Sequence, residues 1–552
     1  MKKTIIISAA LALCASLNAQ NVNQTVTVTN DYKSGIGDVD KKILDMNVPD
    51  TLLVFDYKFD YSVFESPYKG AYEFSPYSVK FTPTARHEYI NKLYVKAGLG
   101  YSLHPELDAD WEIRPADNVS FSVFARGNGY AGKYADFVMS PADFIDTKKG
   151  HDFTDNVGMS GRINFNTANL NFEVGHDGIY TLDEFPSVRS GYNSAYLKGR
   201  LSSNGERGSF FYYDFSTGYR FGNDDLETSS VAQQEHIFNL SGSFGPVLDT
   251  DYRFLVDVDM TGDWVNGWRT QNQMVCDLTP HVEFVLGPVQ MSAGLVFGCI
   301  KGEQLPTIFP SVKASIGLFD DRMTAYAGFV GGDRPNTYYS LKNRNHFFTP
   351  SYLAADSLRV SKERFNLYAG VRSQYEKLQY DVNFGYSRML NMPTDCMLPR
   401  IYGAGSELFF FEGIKWMDYN LFHADASLSW TSDRLYVAAD AALRLTKYDP
   451  APGYRVFALP MFSTDIAVEY NWSKRIYAGI TLDAQTSMAE LDSLDAFAIP
   501  GWADLGINGR YVFSDRWTFW AKAGNILNQD VRTSLLHMPV GPYITLGAVL
   551  TL

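Results

Sequence analysis

The stretch Leu435-Tyr436-Val437-Ala438-Ala439-Asp440-Ala441-Ala442-Leu443-Arg444-Leu445-Thr446 carries apolar side chains at Leu435, Val437, Ala439, Ala441, Leu443 and Leu445. Tyr436, Asp440, Arg444 and Thr446 fall between them. A period of two sends neighbouring side chains to opposite faces of a strand, one face apolar and the other polar. The pattern recurs. Ile476, Ala478, Ile480, Leu482 and Ala484 alternate with Tyr477, Gly479, Thr481, Asp483 and Gln485. Met323–Phe329 and Leu378–Ser387 read the same way. A soluble β-sandwich also alternates, so the period alone leaves two architectures open.

Length and connections separate them. The alternating segments run for 10 to 14 residues. Soluble strands typically have about 5–6 residues, whereas a tilted strand crossing a bilayer needs about 9–11. The segments follow one another from about Asn91 to Leu552 without a helical pattern. Tight turns occur at Pro115–Asn118, Asn166–Asn169, Ser203–Arg207, Gly245–Asp251, Gly287–Pro288, Phe319–Arg322, Tyr375–Lys377, Thr431–Arg434, Asn471–Arg475 and Ser514–Arg516. Longer loops lie between them, among them Gly129–Asp152, Gly332–Leu358, Met392–Met417, Tyr448–Pro460, Met488–Pro500 and Asn528–Val540. Short turns on one rim and long loops on the other are the arrangement of an all-β transmembrane antiparallel barrel. Ten tight turns join ten hairpins; with Leu93–Ser102 before them and Tyr543–Leu552 after, the count is 22 strands, both ends on the short-turn, periplasmic side. Arg400–Phe411 is assigned to an external loop, because a further strand there would break the alternation of loop lengths.

Composition agrees. Aromatic residues make up 15% of the 552 residues and net charge is −14, so disorder and a basic nucleic-acid face are both excluded. Met1-Lys2-Lys3 followed by the apolar run Ile5–Leu17 and a small Ala19 reads as a signal peptide over 1–19. Leu13 before Cys14 is too bulky for a lipoprotein signal, and Cys276, Cys299 and Cys396 make no disulfide framework. The expected organisation is therefore 1–19 signal peptide, 20–90 an extended N-terminal segment and 91–552 the barrel.

The C-terminal strand places Ile544, Leu546, Ala548, Leu550 and Leu552 at every second position, the form of a terminal strand handled by the barrel assembly machinery. The stretch Phe519-Trp520-Ala521-Lys522-Ala523-Gly524-Asn525-Ile526-Leu527-Asn528-Gln529, followed by Pro542-Tyr543-Ile544-Thr545-Leu546-Gly547, resembles the last two strands of the TonB-dependent receptors. The Tyr-rich, Lys/Arg-poor style is similar to outer-membrane proteins of the Bacteroidota. The resemblance implies an outer-membrane barrel and a transport or pore function. Two departures stand out: the chain ends in Leu552 where the family usually has Phe or Trp, and the 71 residues of Gln20–Ile90 are fewer than the family's plug, without its Arg-Gly and Gly-Gly motifs. Thr25, Val26, Thr27 and Val28 resemble a TonB box; an edge strand reads the same way, so engagement of TonB stays open.

Tyr57, Phe59, Tyr61, Phe64, Tyr68, Tyr72 and Phe74 are interleaved with Pro67 and Pro76. Proline excludes a helix there, yet the rings need burial. A strand-like peptide lying along the wide barrel lumen satisfies both and would occlude it; a structure in the periplasm is the competing reading. The loop Gly332–Leu358 gathers Arg334, Lys342, Arg344 and His346 among Tyr338, Tyr339, Phe347 and Phe348, and Met392–Met417 holds Phe409, Phe410 and Phe411 with Trp416. Such residues suit contact with a ligand or partner protein, or loops packing together to close the mouth.

No motif for a catalyst, metal or cofactor emerges. His423 with Asp425 and His281 with Glu283 share polar faces but lack a nucleophile, and Asp257 with Asp259 lack further ligands. The function expected is an outer-membrane transport barrel, not an enzyme. The alternative is a non-transporting barrel subunit of an outer-membrane complex, for protein assembly, export or partnership with a surface lipoprotein.

Overall fold

The computed structural model describes residues 93–552 apart from short stretches, chiefly 137–145, 204–209, 227–231, 349–356, 403–406, 450–454 and 492–497. The TonB-box-like residues Thr25–Val28, the aromatics Tyr57–Phe74 and the signal peptide lie outside the described residues.

The first strands are β1 (Leu93–Tyr101), β2 (Glu106–Ala116), β3 (Val119–Asp136), β4 (Asp146–Asn164), β5 (Ala168–Glu184), β6 (Ser187–Ser203), β7 (Phe211–Leu226) and β8 (Gln233–Pro246). They continue with β9 (Tyr252–Asn266), β10 (Gln271–Leu286), β11 (Val289–Ile300), β12 (Thr307–Leu318), β13 (Met323–Arg334), β14 (Ser361–Tyr375), β15 (Leu378–Tyr402) and β16 (Glu407–Thr431). The set ends with β17 (Leu435–Tyr448), β18 (Phe462–Trp472), β19 (Ile476–Gln485), β20 (Trp502–Val512), β21 (Trp517–Gly524) and β22 (Tyr543–Thr551). Each pairs antiparallel with the next, and β22 returns to β1 over Tyr94↔Thr551 to Tyr101↔Ile544. The sheet is therefore a closed 22-stranded barrel, in which every strand edge within the bilayer is paired. Leu93 and Leu552 exchange backbone hydrogen bonds at 3.1 and 2.9 Å, so the barrel begins and ends on one rim.

The alternation sets which face meets lipid. Leu197, Leu295, Leu367, Val382, Phe384, Ile480, Ile507 and Leu546 are exposed on the outer wall, while Asp and Ser side chains turn inward. On β17, Ala439 stands in register with the outward Leu428 of β16, whereas Asp440 opposes Ser427 and hydrogen-bonds to it in the lumen. The turn Gly287-Pro288 is a two-residue connection with Gly287 at φ +60°, as a turn with glycine first requires. It fixes the register of β10 and β11, and Cys276 pairs with Cys299.

Two loop assignments are corrected. Met392–Met417 is not an external loop: β15 and β16 each run 25 residues, and Arg400–Tyr402 and Glu407–Phe411 belong to them through pairs such as Arg400↔Phe409. At ~3.3 Å per residue these strands are about 80 Å long, far more than a bilayer needs. The strand count is unaffected because the stretch continues two existing strands. A bulge hides the continuation, since Leu390 and Asn391 together oppose Asp418 and the facing flips by one residue. Pro393 and Pro399 are tolerated on this projecting ribbon as they would be on an edge strand. Likewise Gly129–Asp152 is largely strand, β3 and β4 pairing as far as Asp136↔Asp146. A third difference is a helix, α1 (Tyr338–Arg344), in the loop between β13 and β14.

Candidate functional site

The loop after β13 turns into the barrel mouth. Thr337 caps α1: its Oγ1 accepts from the Ser340 amide at 3.0 Å, and the Thr337 amide donates back to Ser340 Oγ at 3.0 Å. This reciprocal cap lets a seven-residue helix form without propensity over a longer stretch. Its Tyr338 and Leu341, with Phe348, are buried among Ile179, Tyr192, Val265, Leu358, Ile414 and Trp416. Those partners come from β5, β6, β9 and β16, so the loop spans the opening from one wall to another.

Polar contacts fasten it. Lys342 has no solvent exposure; its Nζ donates to Ser190 Oγ at 2.6 Å and the Phe348 carbonyl at 3.0 Å, and lies 3.7 Å from Asp224 Oδ2. The Tyr338 hydroxyl donates to Asp224 as well. Glu235 accepts from the Tyr339 amide at 3.0 Å and from the Tyr192 hydroxyl at 3.2 Å. The Tyr339 hydroxyl donates to Asp177 at 3.1 Å, and the Arg220 guanidinium, 2.6 Å from Asp177, lies 3.8 Å above the Tyr339 ring. Gln271 exchanges hydrogen bonds with the backbone of Leu358 at 2.7 and 2.8 Å. Burial lowers the Lys342 ammonium pKa against the pull of Asp224, and burial with the Asp177 charge raises the Tyr339 hydroxyl to about 12 despite Arg220.

On the other side Arg344 donates to the Pro393 carbonyl at 2.6 Å and to Asp395 at 3.0 Å on the projecting ribbon. Asn345 donates to Glu412, which also accepts from Ser534 at 2.6 Å and lies 3.0 Å from His537 Nδ1. His537 stacks on Phe347 with ring centroids 3.5 Å apart, and His346 Nδ1 lies 2.8 Å from Asp152. The loop around α1, the loop that holds Ser534 and His537, and the β15–β16 ribbon thus meet.

Of the residues singled out in the sequence, Tyr338, Tyr339 and Arg344 come together in this seal. Phe409, Phe410 and Phe411 lie in β16, paired with Arg400, Pro399 and Leu398. Ile544 and Leu546 point outward on the closing strand, and Leu550 pairs with Val95 of β1 and Trp517 of β21. His423 Nδ1 lies 3.2 Å from Asp425, which also pairs with Arg444 at 2.5 Å. His281 lies 3.5 Å from Asp257 and 3.6 Å from Glu283. Among the described residues no group of three or more His, Cys, Asp or Glu is placed to hold a metal ion. Deeper in the lumen Asp440, Asp465, Asp483 and Asp504 stand in direct register on β17–β20. The wall partners Asp177, Ser190, Tyr192, Asp224 and Glu235 escaped the sequence reading because they lie 104 to 162 residues from the loop they bind. The one local signal was an acidic residue on the inward parity of an alternating strand.

The sequence matches no family model and no curated protein. Solved structures do resemble the barrel. The siderophore receptor PirA of Acinetobacter baumannii aligns with TM-score 0.61 at 8% identity, covering 83% of this chain and 80% of that one. The FrpB iron transporter of Neisseria meningitidis gives 0.61 at 8%, covering 83% and 81%. A mutant of the ferric enterobactin receptor PfeA of Pseudomonas aeruginosa gives 0.59 at 9%, covering 83% and 80%. Identities this low carry the fold alone: the chain has the closed, 22-stranded antiparallel β-barrel fold of these structures.

Proposed function

We propose that this chain is an outer-membrane transport barrel held shut at rest by the mouth loop around α1 together with the N-terminal segment Gln20–Ile90. The observation that carries the proposal is the loop itself: a folded segment with a fully buried lysine, fastened to several strands around the opening, makes a stopper. Barrels of this width leave an aqueous hole unless something fills it. The proline-punctuated aromatics of Tyr57–Phe74 suit a peptide lying along the lumen wall. Both chain ends are periplasmic in this reading, which the start and end of the barrel on one rim, that of the tight turns, support. Planar-bilayer recording tests it. Removing Gln20–Tyr89 and Thr337–Phe348 together should convert a near-silent protein into one with large steady openings, and bacteria carrying it should become sensitive to bulky antibiotics.

One feature supports the second reading, a subunit of a larger outer-membrane complex. The β15–β16 ribbon extends well beyond a bilayer's thickness and offers a platform for an outer-membrane protein or surface lipoprotein. Purification in mild detergent separates the readings, because a scaffold should bring a stoichiometric partner.

A further inference from the structure

We propose that the mouth site beneath the loop takes a cationic, amine-bearing solute, and that Lys342 holds the place of the solute's ammonium while the mouth is closed. The inference rests on the transport reading above and names its substrate class.

The first observation is what Lys342 fills. Its ammonium sits among an oxygen of Asp224, a hydroxyl of Ser190 and the Phe348 carbonyl, and the Tyr338 hydroxyl donates to the same Asp224. Carboxylate, hydroxyl and carbonyl acceptors converging on one point are the surroundings in which proteins bind amines. Only the Phe348 carbonyl and Tyr338 belong to the loop; Asp224, Ser190 and Tyr192 belong to the wall and stay when the loop leaves.

The second observation is independent of Lys342. Asp263 on β9 is 1% exposed; its carboxyl group receives no hydrogen bond from an amide, ammonium or hydroxyl donor and meets the Glu235 carboxyl instead. Register puts Ile237 opposite Asp263 and Val265 opposite Glu235, so Asp263 and Glu235 share one inward face on adjacent strands. Glu235 takes its hydrogen bonds from Tyr192 and the Tyr339 amide, not from a cation. Arg220, the other cation nearby, is engaged by Asp177 and Ser194. Two buried carboxyl groups in contact cannot both ionise without a compensating cation, and among the described residues neither Asp263 nor Glu235 has an ion-pair partner.

Opening sharpens the demand. When the loop withdraws, Asp224 loses Lys342 and the Tyr338 hydroxyl, and Glu235 loses the Tyr339 amide. Asp224, Glu235 and Asp263 then face the lumen with Ser190 and Tyr192 as their remaining donors in this cluster. A ligand restores what opening removes only if it brings positive charge and several N–H donors. An anionic solute meets Asp224 and the Glu235–Asp263 pair and is rejected.

Calorimetry on the full chain in detergent, with spermidine as the cationic probe and citrate as the anionic one, tests this. Spermidine should bind the intact protein and citrate should not. Lys342→Met removes the resident competitor and should tighten spermidine binding about tenfold, whereas Asp224→Asn and Asp263→Asn should each weaken it about tenfold, the loss expected for one charge-assisted hydrogen bond. Citrate binding as tightly as spermidine would overturn the proposal, and so would an affinity for spermidine unmoved by all three changes. The intact-protein comparison stands even if a variant fails to fold. If the doubly deleted chain conducts but shows no preference for the amine, the substrate class is wrong and the pore reading survives. If it stays silent while spermidine binding follows the variants as stated, the class survives and the pore reading fails.

Discussion

Lys342 Nζ lies 3.7 Å from Asp224 Oδ2, and neither side chain has any exposure to solvent. Breaking such a pair by removing one partner leaves a buried charge alone and typically costs about 3–5 kcal/mol. Lys342→Met should therefore release the mouth loop without unfolding the barrel, whose backbone ladder it leaves intact. Limited proteolysis checks this: the variant should be cut within residues 335–360 at protease levels that leave the parent intact, while still shifting mobility on boiling.

Asp263→Asn should make the protein more stable. The new amide supplies a donor beside Glu235 and removes one of two neighbouring buried carboxylates, which is worth about 1 kcal/mol. A urea midpoint above that of the parent, in the same lipid, is the expected result; a lower midpoint would mean that Asp263 has a partner essential to the fold.

The seal should also depend on alkaline pH. The Tyr339 hydroxyl, ordinarily near 10, is raised to about 12 in the closed loop, first by burial and then by Asp177. The closed state therefore holds its proton more tightly than the open one. This contribution to closure is fully present below pH 10 and is lost as pH rises through about 12. Proteolytic cutting within residues 335–360 should increase across that window, and Tyr339→Phe should flatten the increase.

Facing is testable at neighbouring positions. Arginine at Ala439, which looks into lipid, should cost about 2–4 kcal/mol, and arginine at luminal Asp440 much less. Equal losses by equilibrium unfolding in liposomes would show that the strand is turned over.

Cys276 and Cys299 oppose each other on the outer face with free thiols. Directly opposed β-carbons lie about 4.5–5.5 Å apart, marginal for a disulfide. A short bifunctional maleimide should therefore join the two within one chain, giving a mass increase of one linker that Cys299→Ser abolishes.

The barrel was legible because each strand states its own facing in its own residues, and each tight turn marks a hairpin. Gly287-Pro288 even sets the register that pairs the two cysteines. Legibility failed where a local exception cancels the period. Leu390 and Asn391 form a bulge that shifts the parity of β15, and Pro393 and Pro399 read as breakers, so the paired ribbon beyond them looked like loop. The helix at Tyr338–Arg344 is too short for periodicity and depends on its Thr337 cap. The seal was the least visible part. The aromatic and basic loop residues were noticed, but Asp177, Asp224 and Glu235 each look like ordinary luminal acids until closure of the barrel brings the loop across to them.

The most direct measurement of the sealed-barrel account is single-channel conductance of the intact chain beside the chain lacking both Gln20–Tyr89 and Thr337–Phe348. The account predicts near-zero conductance for the first and large, steady openings for the second. Large openings in the intact protein, or a doubly deleted barrel that folds and still passes no current, would contradict it.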